Sequence, residues 1–370
     1  MRTAPPRAIR GLILGALLAA GARPAAAQWK TDFSKHTVPL DEITSGGPPK
    51  DGIPSIDHPK FIGLDEAGKW LSARDPVVVV ALGGEAKAYP LQILIWHEIV
   101  NDEVGGTPVS ITFCPLCNTA LAFDRRFDGQ TLDFGTTGNL RHSDLVMYDR
   151  QTETWWQQAT GEGIVGRYAG RQLTFLSAPV ISWLQFQESY PEGRVLSRDT
   201  GFSRAYGSNP YAGYDTRRGP FAHFFHGRRD DRLEAMDRVV AISDGDSSVA
   251  YATSGLAHSP VVNDTFNARP LVVFWAPGTA SALDKSAIAE GRDVGSTGVF
   301  SRLLDGRLLE FEPAGPGEFR DRETGSTWNI LGLATAGPLK GRQLDAIQHG
   351  DHFWFAWAVF KPETRLEAGG

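Results

Sequence analysis

The stretches AYPLQILIWHEIVNDEVGGTPVSITFCPLCNTAL at residues 88–121 and AYATSGLAHSPVVNDTFNARPLVVFWAPGTASAL at residues 250–283 decide the architecture of this chain. They align without a gap at a constant offset of 162 residues, and both contain Ala-Tyr, Val-Asn-Asp and Ala-Leu at the same positions. A long self-similar stretch is typical of a chain built from repeated units. We therefore expect an internal duplication that produces two pseudo-symmetric lobes.

The similarity continues beyond this stretch, after an insertion near residues 285–297 of the second copy. Matching pairs include Trp156 with Trp328, Trp183 with Trp354, and residues 170–173 with residues 341–344, which read Gly-Arg-Gln-Leu in both copies. The predicted organisation has a first repeat lobe at 28–195, a linker at 196–236 that is rich in turn-forming residues, and a second repeat lobe at 237–370.

Local patterns predict a strand-rich α+β fold. The elements expected in the first copy are a hairpin of residues 77–82 and 86–89 around Gly83-Gly84, a helix at 91–100 ending at Asn101, a strand at 109–113, and a second hairpin of 121–123 and 132–134 around Asp128-Gly129. The strand at 109–113 leads into Cys114, so the cysteines lie where a strand gives way to a turn or a short helix.

The first 27 residues have the features of a secretory signal peptide. They contain four arginines and no acidic residue, an apolar run at 11–20, and Ala25-Ala26-Ala27 before Gln28. We expect cleavage near Ala27 and a periplasmic or secreted mature protein. The apolar run is shorter than the roughly 20 residues that span a bilayer, so no membrane span is expected.

Composition excludes a further class of function. The chain of 370 residues carries a formal charge of −6, and removing the four arginines of the signal leaves 33 basic against 43 acidic residues, a balance of −10. An acidic protein of this kind is a poor partner for phosphate backbones, so nucleic-acid binding is not expected.

The two copies also separate structural residues from candidate functional ones. Residues present in both copies are most simply explained by the shared fold, whereas reactive side chains present in one copy alone are candidates for function. Cys114 and Cys117 are the two cysteines of the chain, and their counterparts in the second copy are Ala276 and Thr279. His97 precedes them on the predicted helix and is aligned with Ser259.

Two further donors lie near a segment, residues 138–144, that has no full counterpart in the second copy. His142 belongs to this segment and Met147 follows it. Thiolate, imidazole and thioether form a soft donor set that suits copper or zinc and not magnesium or calcium. The predicted site therefore binds a copper ion in the first instance and a zinc ion in the second, with Glu98 orienting a neighbouring group from outside the ligand shell.

Three alternatives remain open from the sequence. The Cys-Pro-Leu-Cys segment could form a thiol-disulfide redox centre, although no βαβ pattern follows it as thioredoxin-like proteins require. It could also be an inert disulfide that closes a small loop. The protein could instead be a non-catalytic ligand-binding module that uses aromatic residues such as 353–357, although Trp354 is matched in the first copy and core packing is favoured there.

Four segments resemble an exported bacterial family that is catalogued as domain of unknown function 3179. They are WHEIVND at 96–102, FCPLC at 113–117, SDLVMYDR at 143–150 and FWFAW at 353–357. The resemblance covers residues from about 50 to 365 and implies an exported protein, but it implies little about activity. The family tends to carry asparagine at the position of His142, whereas Cys114, Cys117 and His97 fit its pattern.

Overall fold

The computed structural model describes residues 29–367, and the residues from Thr31 onward form one compact unit by themselves. The predicted signal peptide and its cleavage site lie outside the described residues. Among the described residues, no helix has the length and apolar character needed to cross a bilayer. The fold is α+β and strand-rich, as the local patterns predict.

The first half of the described chain contains sixteen strands. They are Ile43–Ser45 (β1), Phe61–Ile62 (β2), Pro76–Leu82 (β3), Glu85–Pro90 (β4), Ile99–Val104 (β5), Thr107–Cys114 (β6), Thr119–Asp124 (β7), Arg126–Phe127 (β8), Gln130–Thr131 (β9), Phe134–Arg141 (β10), Asp144–Asp149 (β11), Trp155–Gln157 (β12), Gly163–Val165 (β13), Thr174–Leu176 (β14), Val180–Ser182 (β15) and Arg194–Leu196 (β16).

The second half of the described chain contains thirteen strands. They are Arg238–Asp244 (β17), Ser247–Ala252 (β18), Val261–Phe266 (β19), Arg269–Ala276 (β20), Ser296–Ser301 (β21), Leu303–Leu304 (β22), Arg307–Leu308 (β23), Phe311–Gly315 (β24), Glu318–Asp321 (β25), Thr327–Trp328 (β26), Ala334–Ala336 (β27), Gly350–Phe353 (β28) and Arg365–Glu367 (β29). The α-helices of the described chain are short: Leu64–Ala67 (α1), Leu91–His97 (α2), Trp183–Ser189 (α3), Thr253–His258 (α4) and Trp354–Ala358 (α5).

Each half forms three larger sheets and one two-stranded sheet, β8-β9 in the first half and β22-β23 in the second, and the strand orders of the two halves correspond. The first half has the orders β15-β3-β4-β16-β2, β14-β7-β6-β5 and β1-β10-β11-β12-β13, and the second half has β28-β17-β18-β29, β19-β20-β21 and β24-β25-β26-β27. The unusual parallel pairing of β16 with β4 recurs as the pairing of β29 with β18. Helices α2 and α4 occupy equivalent places, as do α3 and α5.

The same side-chain contacts also recur at equivalent positions. The Trp156 indole donates to Asp149 Oδ2 at 2.9 Å, and the Trp328 indole donates to Asp321 Oδ2 at 2.9 Å. In each copy an asparagine of the Val-Asn-Asp segment bonds the backbone of the strand that follows the small hairpin. These contacts are what a duplication would leave, and the duplication itself stays a prediction.

Most of the predicted elements of the first copy are present. The hairpin around Gly83-Gly84 is formed by β3 and β4, and β6 leads into Cys114. The hairpin around Asp128-Gly129 exists as the two-residue strands β8 and β9, whereas residues 121–123 pair with β6 and β14 instead.

The helix predicted for residues 91–100 is shorter than expected. It ends at His97, Glu98 adopts a left-handed conformation with φ of 59°, and Ile99 begins strand β5. The β-branched residues Ile99 and Val100 favour the strand. Asn101 therefore does not close a helix: its side chain bonds the backbone of Phe134 and joins two sheets.

The predicted lobes share their hydrophobic cores. Leu283 and Phe353 of the second half pack in the same cluster as Ile111 and Phe123 of the first half, and Val77 of the first half shares a cluster with Phe274 of the second. The predicted aromatic segment 353–357 is buried in these cores. Residues 197–237 contain no strand and bond to both halves, including Leu116 in the cysteine loop and Ser143 beside it.

Candidate metal centre

Cys114 and Cys117 lie on a tight turn between strands β6 and β7. Cys114 is the last residue of β6, and the Cys117 amide donates to the Cys114 carbonyl at 3.2 Å. Pro115 has no amide hydrogen to continue the ladder, so it ends the strand at this point. Both thiols are buried, and the two side chains leave the turn on the same side, toward the neighbouring hairpin.

That hairpin joins β10 to β11 through a two-residue turn. His142 and Ser143 both have positive φ, at 53° and 70°, which is the geometry of a type I′ turn and is usually built from asparagine and glycine. The turn brings the Ser143 carbonyl to 3.7 Å from Cys114 Sγ and 3.4 Å from Cys117 Sγ. The next residue, Asp144, begins β11 beside the two sulfurs.

Cys114, Cys117 and Asp144 form one cluster. One donor atom from each residue lies within 4.8 Å of the other two, and all three side chains are buried. Asp144 Oδ2 accepts hydrogen bonds from the Ala159 amide at 2.9 Å and from Gln157 Nε2 at 2.5 Å. Asp144 Oδ1 is buried without a hydrogen-bond partner among the described residues, which is costly for a carboxylate oxygen.

Burial makes ionisation of this cluster unfavourable. Burial raises the pKa of Cys114 and raises that of Cys117 well above its ordinary value. The charge of Asp144 acts in the same direction on both thiols, whereas the contact with Cys117 lowers the pKa of Cys114. Burial raises the pKa of Asp144 to about 6. Burial, and then the charge of Asp144, raises the pKa of Glu98 to about 8. Four acidic side chains are thus gathered in a region of low dielectric. Contacts with the two thiols partly offset burial at Asp144, whereas the charge of Asp144 opposes ionisation of both thiols.

His97 lies outside this cluster. Its Nδ1 is 2.7 Å from the Pro54 carbonyl and its Nε2 is 2.7 Å from the Tyr206 hydroxyl. Both ring nitrogens are therefore engaged, and burial lowers the pKa of the imidazole. In this structure His97 links residues 197–237 to the first half. The sequence predicts that His97 lies beside the two sulfurs as a ligand, and the structure does not place it there.

His142 and Met147 are near the cluster in sequence but not in space. His142 Nε2 is 3.3 Å from a Glu42 carboxylate oxygen, and its ring lies between Phe225 and Phe360. Met147 is three positions from Asp144 on one strand, so the two side chains leave opposite faces of the sheet. Of the predicted ligands, the structure brings together Cys114 and Cys117.

The residue that the prediction missed is Asp144. The signal was present, because Asp144 ends the segment 138–144 that lacks a full counterpart in the second copy. His142 was predicted from that segment as a soft donor, but its buried ring contacts Glu42 and Phe360, whereas the Asp144 carboxylate lies beside the thiols.

Residues 197–237 cover the cluster from the other side. The Tyr214 hydroxyl donates to the Leu116 carbonyl at 3.0 Å, and the Ser143 amide donates to the Phe224 carbonyl at 2.7 Å. The second half also bonds this loop, through the Phe353 amide, which donates to the Cys117 carbonyl at 2.9 Å. The segment predicted to be a linker thus packs over the cysteine loop.

Comparison with known families identifies the chain at this level. A family model described as "Protein of unknown function (DUF3179)" matches residues 50–364. The chain belongs to this family. The match includes the cysteine loop, the I′ turn and residues 197–237. No curated protein and no solved structure matches the chain.

Proposed function

We propose that the protein binds one transition-metal ion through Cys114, Cys117 and Asp144. The observation that carries the proposal is the unpartnered Oδ1 of Asp144, buried beside two buried thiols. A cation at this point would pair with the carboxylate and lower the pKa of both thiols, which removes the cost of gathering acidic groups in the interior.

The donor set favours zinc over copper. Two thiolates suit either metal, but a carboxylate oxygen is a common ligand of Zn²⁺ and a poor ligand of the soft ion Cu⁺. The order expected from the sequence, with copper first, rested on His97 and Met147 as further soft donors. With Asp144 in their place we propose zinc first and copper second.

Three protein ligands leave room for a fourth group on a tetrahedral zinc ion. Catalytic zinc sites have this composition, whereas structural sites are closed by four protein ligands. Glu98 remains a candidate for orienting that fourth group, because its charge interacts with Asp144 and Cys114. Its left-handed backbone is the strained conformation that recurs at functional sites.

Thiol-disulfide exchange is less well supported. A reactive cysteine requires a lowered pKa and solvent access, whereas both thiols here are buried and burial raises the pKa of each. An aromatic binding module is also less well supported, because Trp354 and its neighbours fill the core. Export stays a prediction, and a bound metal would protect adjacent thiols from oxidation outside the cytoplasm.

The test is to count metal atoms per chain in protein purified without added chelator. We expect about one atom per chain in the wild type and a loss of most of it in Cys114→Ser, Cys117→Ser and Asp144→Asn. Met147→Leu removes a sulfur on the opposite face of the sheet but keeps a side chain of similar volume, so this variant should retain the metal. His142→Asn introduces a residue that suits the turn and should also retain the metal.

Two results would refute the proposal. One is a wild type that contains no stoichiometric metal after reconstitution with Zn²⁺ or Cu⁺ under reducing conditions. The other is equal metal content in wild type and Asp144→Asn, which would remove the aspartate from the site. A Cys114–Cys117 disulfide in freshly purified protein would support the redox alternative instead.

A further inference from the structure

A second concave site lies between the two halves, separate from the metal cluster. It is a cleft of about 250 Å³, close to the lower end of the range for small-molecule sites. The apolar part of its lining comes from both halves and includes two aromatic side chains. Its lining includes Leu121, Phe175, Gly350, His352, Trp357 and Lys361.

His352 provides a fixed polar group in the cleft. It is buried, with 2% of its surface exposed, and its Nδ1 is 2.8 Å from the Thr119 hydroxyl. Its ring contacts Trp357 at a centroid distance of 5.0 Å. Its Nε2 has no hydrogen-bond partner among the described residues. Burial lowers the pKa of His352 to about 3, so the imidazole is neutral near pH 7.

Gly350 keeps this nitrogen accessible. Gly350 also lines the cleft, and a Cβ atom at this position would lie 2.6 Å from His352 Nε2. Any larger residue would cover or displace the imidazole. The absent side chain therefore leaves space for a ligand atom beside Nε2 of His352.

The charge of the cleft is positive. Lys361 is the single charged side chain among the described residues that line it. Its ammonium group makes one long contact, 3.5 Å from the Gly245 carbonyl, which leaves donors free. An ammonium group, a neutral imidazole and aromatic walls together suit a ligand with a negative end and an apolar body.

We propose that this cleft binds a small organic carboxylate, with its carboxylate on Lys361, its body against Phe175 and Trp357, and a polar edge on His352. The inference does not depend on the metal site. Thr119 links the two sites, because its hydroxyl bonds both His352 and the Cys117 carbonyl. A ligand in the cleft would therefore affect the position of the cysteine loop.

The test is calorimetric titration of the full-length protein with three probes of similar shape and different charge: benzoate, benzyl alcohol and benzylamine. We expect benzoate to bind more tightly than benzyl alcohol and benzylamine to bind least. Lys361→Met should weaken benzoate binding by at least about fivefold, since a charged hydrogen bond is lost. Lys340→Met, at an exposed position away from the cleft, is the matched control and should leave it unchanged.

Two further variants locate the probe. Gly350→Ala should weaken benzoate and benzyl alcohol alike, because the added methyl group occupies the space beside Nε2. His352→Gln, which can retain the bond to Thr119, should weaken both by a smaller factor. The proposal is overturned if benzylamine binds as tightly as benzoate, or if Lys361→Met and Lys340→Met have equal effects in folded protein. It is also overturned if none of the probes binds at millimolar concentration.

Discussion

The cysteine loop and its counterpart in the second half, residues 276–279, have the same place in their sheets. They differ in how the aspartate beside each loop is hydrogen-bonded. In the second half the Asp293 carboxylate accepts hydrogen bonds from the amides of Gly278, Thr279 and Gly295. In the first half Asp144 accepts two hydrogen bonds through one oxygen and none through the other. In the second half the carboxylate is fully bonded by backbone amides. In the first half one carboxylate oxygen of Asp144 has no hydrogen-bond partner among the described residues.

The difference shows how the same arrangement of strands can hold a structural loop in one half and a candidate metal site in the other. An exposed carboxylate that bonds three amides needs no further partner. A buried carboxylate beside two thiols does, because each ionisation in the cluster opposes the next. The following predictions test this contrast, beginning with the largest expected effect.

Metal removal should destabilise the wild type strongly. Loss of a tightly bound ion that prefers the folded state would lower the free energy of unfolding by about 4 kcal/mol. Urea unfolding of the wild type with and without a chelator measures this change. The double variant Cys114→Ala with Cys117→Ala should be insensitive to the chelator. An unchanged wild-type midpoint would contradict the account.

Acid should destabilise the protein through His352, which stands where the first half has Ile181. The folded pKa is about 3, well below the ordinary value of about 6.5, so the protein favours the neutral ring. Stability from this group is fully present above pH 6.5 and is lost as the pH falls toward 3, with about 3 kcal/mol lost by pH 4.5.

The measurement is the urea midpoint between pH 7 and pH 4.5 for wild type and His352→Gln. Other groups titrate in both proteins, so the difference between the two curves reports His352. The wild type should lose stability more steeply. Parallel curves would show that His352 does not titrate in this way.

Equivalent substitutions in the shared frame should have equal effects. Asp149→Asn and Asp321→Asn each weaken the bonds to a buried tryptophan and to a neighbouring threonine, so each should cost about 2 kcal/mol. Thermal unfolding of the two variants measures this, and neither should alter metal content at a temperature where it is folded. A large inequality between them would show that the frame is not equivalent in the two halves.

A smaller effect on the free energy of unfolding is expected from a substitution in residues 197–237. Tyr206→Phe removes the hydroxyl that bonds His97 and Thr200, at a cost of about 1 kcal/mol. Because residues 197–237 cover the cysteine loop, a chelator should remove the metal faster from this variant than from the wild type. Ser203→Ala, an exposed position on the same segment, is the control and should leave that rate unchanged.

Local patterns predicted much of the fold. The apolar run at 77–82, followed by Gly83-Gly84, is sufficient to specify a hairpin, and the β-branched run at 109–113 specifies the strand that carries Cys114. The error at 98–101 arose because Leu91, Leu94 and Ile95 continue a helical spacing into residues whose side chains favour a strand. Glu98 turns the chain there, and its left-handed conformation has no clear signal in a single sequence.

The site was predictable in part. Absence from the second copy singled out the two cysteines and the segment that contains Asp144. The position of His97 depends on contacts with Pro54 and Tyr206, which are 43 and 109 residues away in the chain, so local pattern could not supply it. The position of the buried His142 ring depends on the turn type, which the residues of the turn do not favour.

The most direct measurement of the central claim is X-ray absorption at the metal edge of the purified wild-type protein. The account predicts two sulfur scatterers near 2.3 Å and oxygen scatterers near 2.0 Å around zinc. Asp144→Asn should lose occupancy or an oxygen scatterer, and Met147→Leu should give an unchanged spectrum. A shell without sulfur, or one that contains histidine as a ligand, would contradict it.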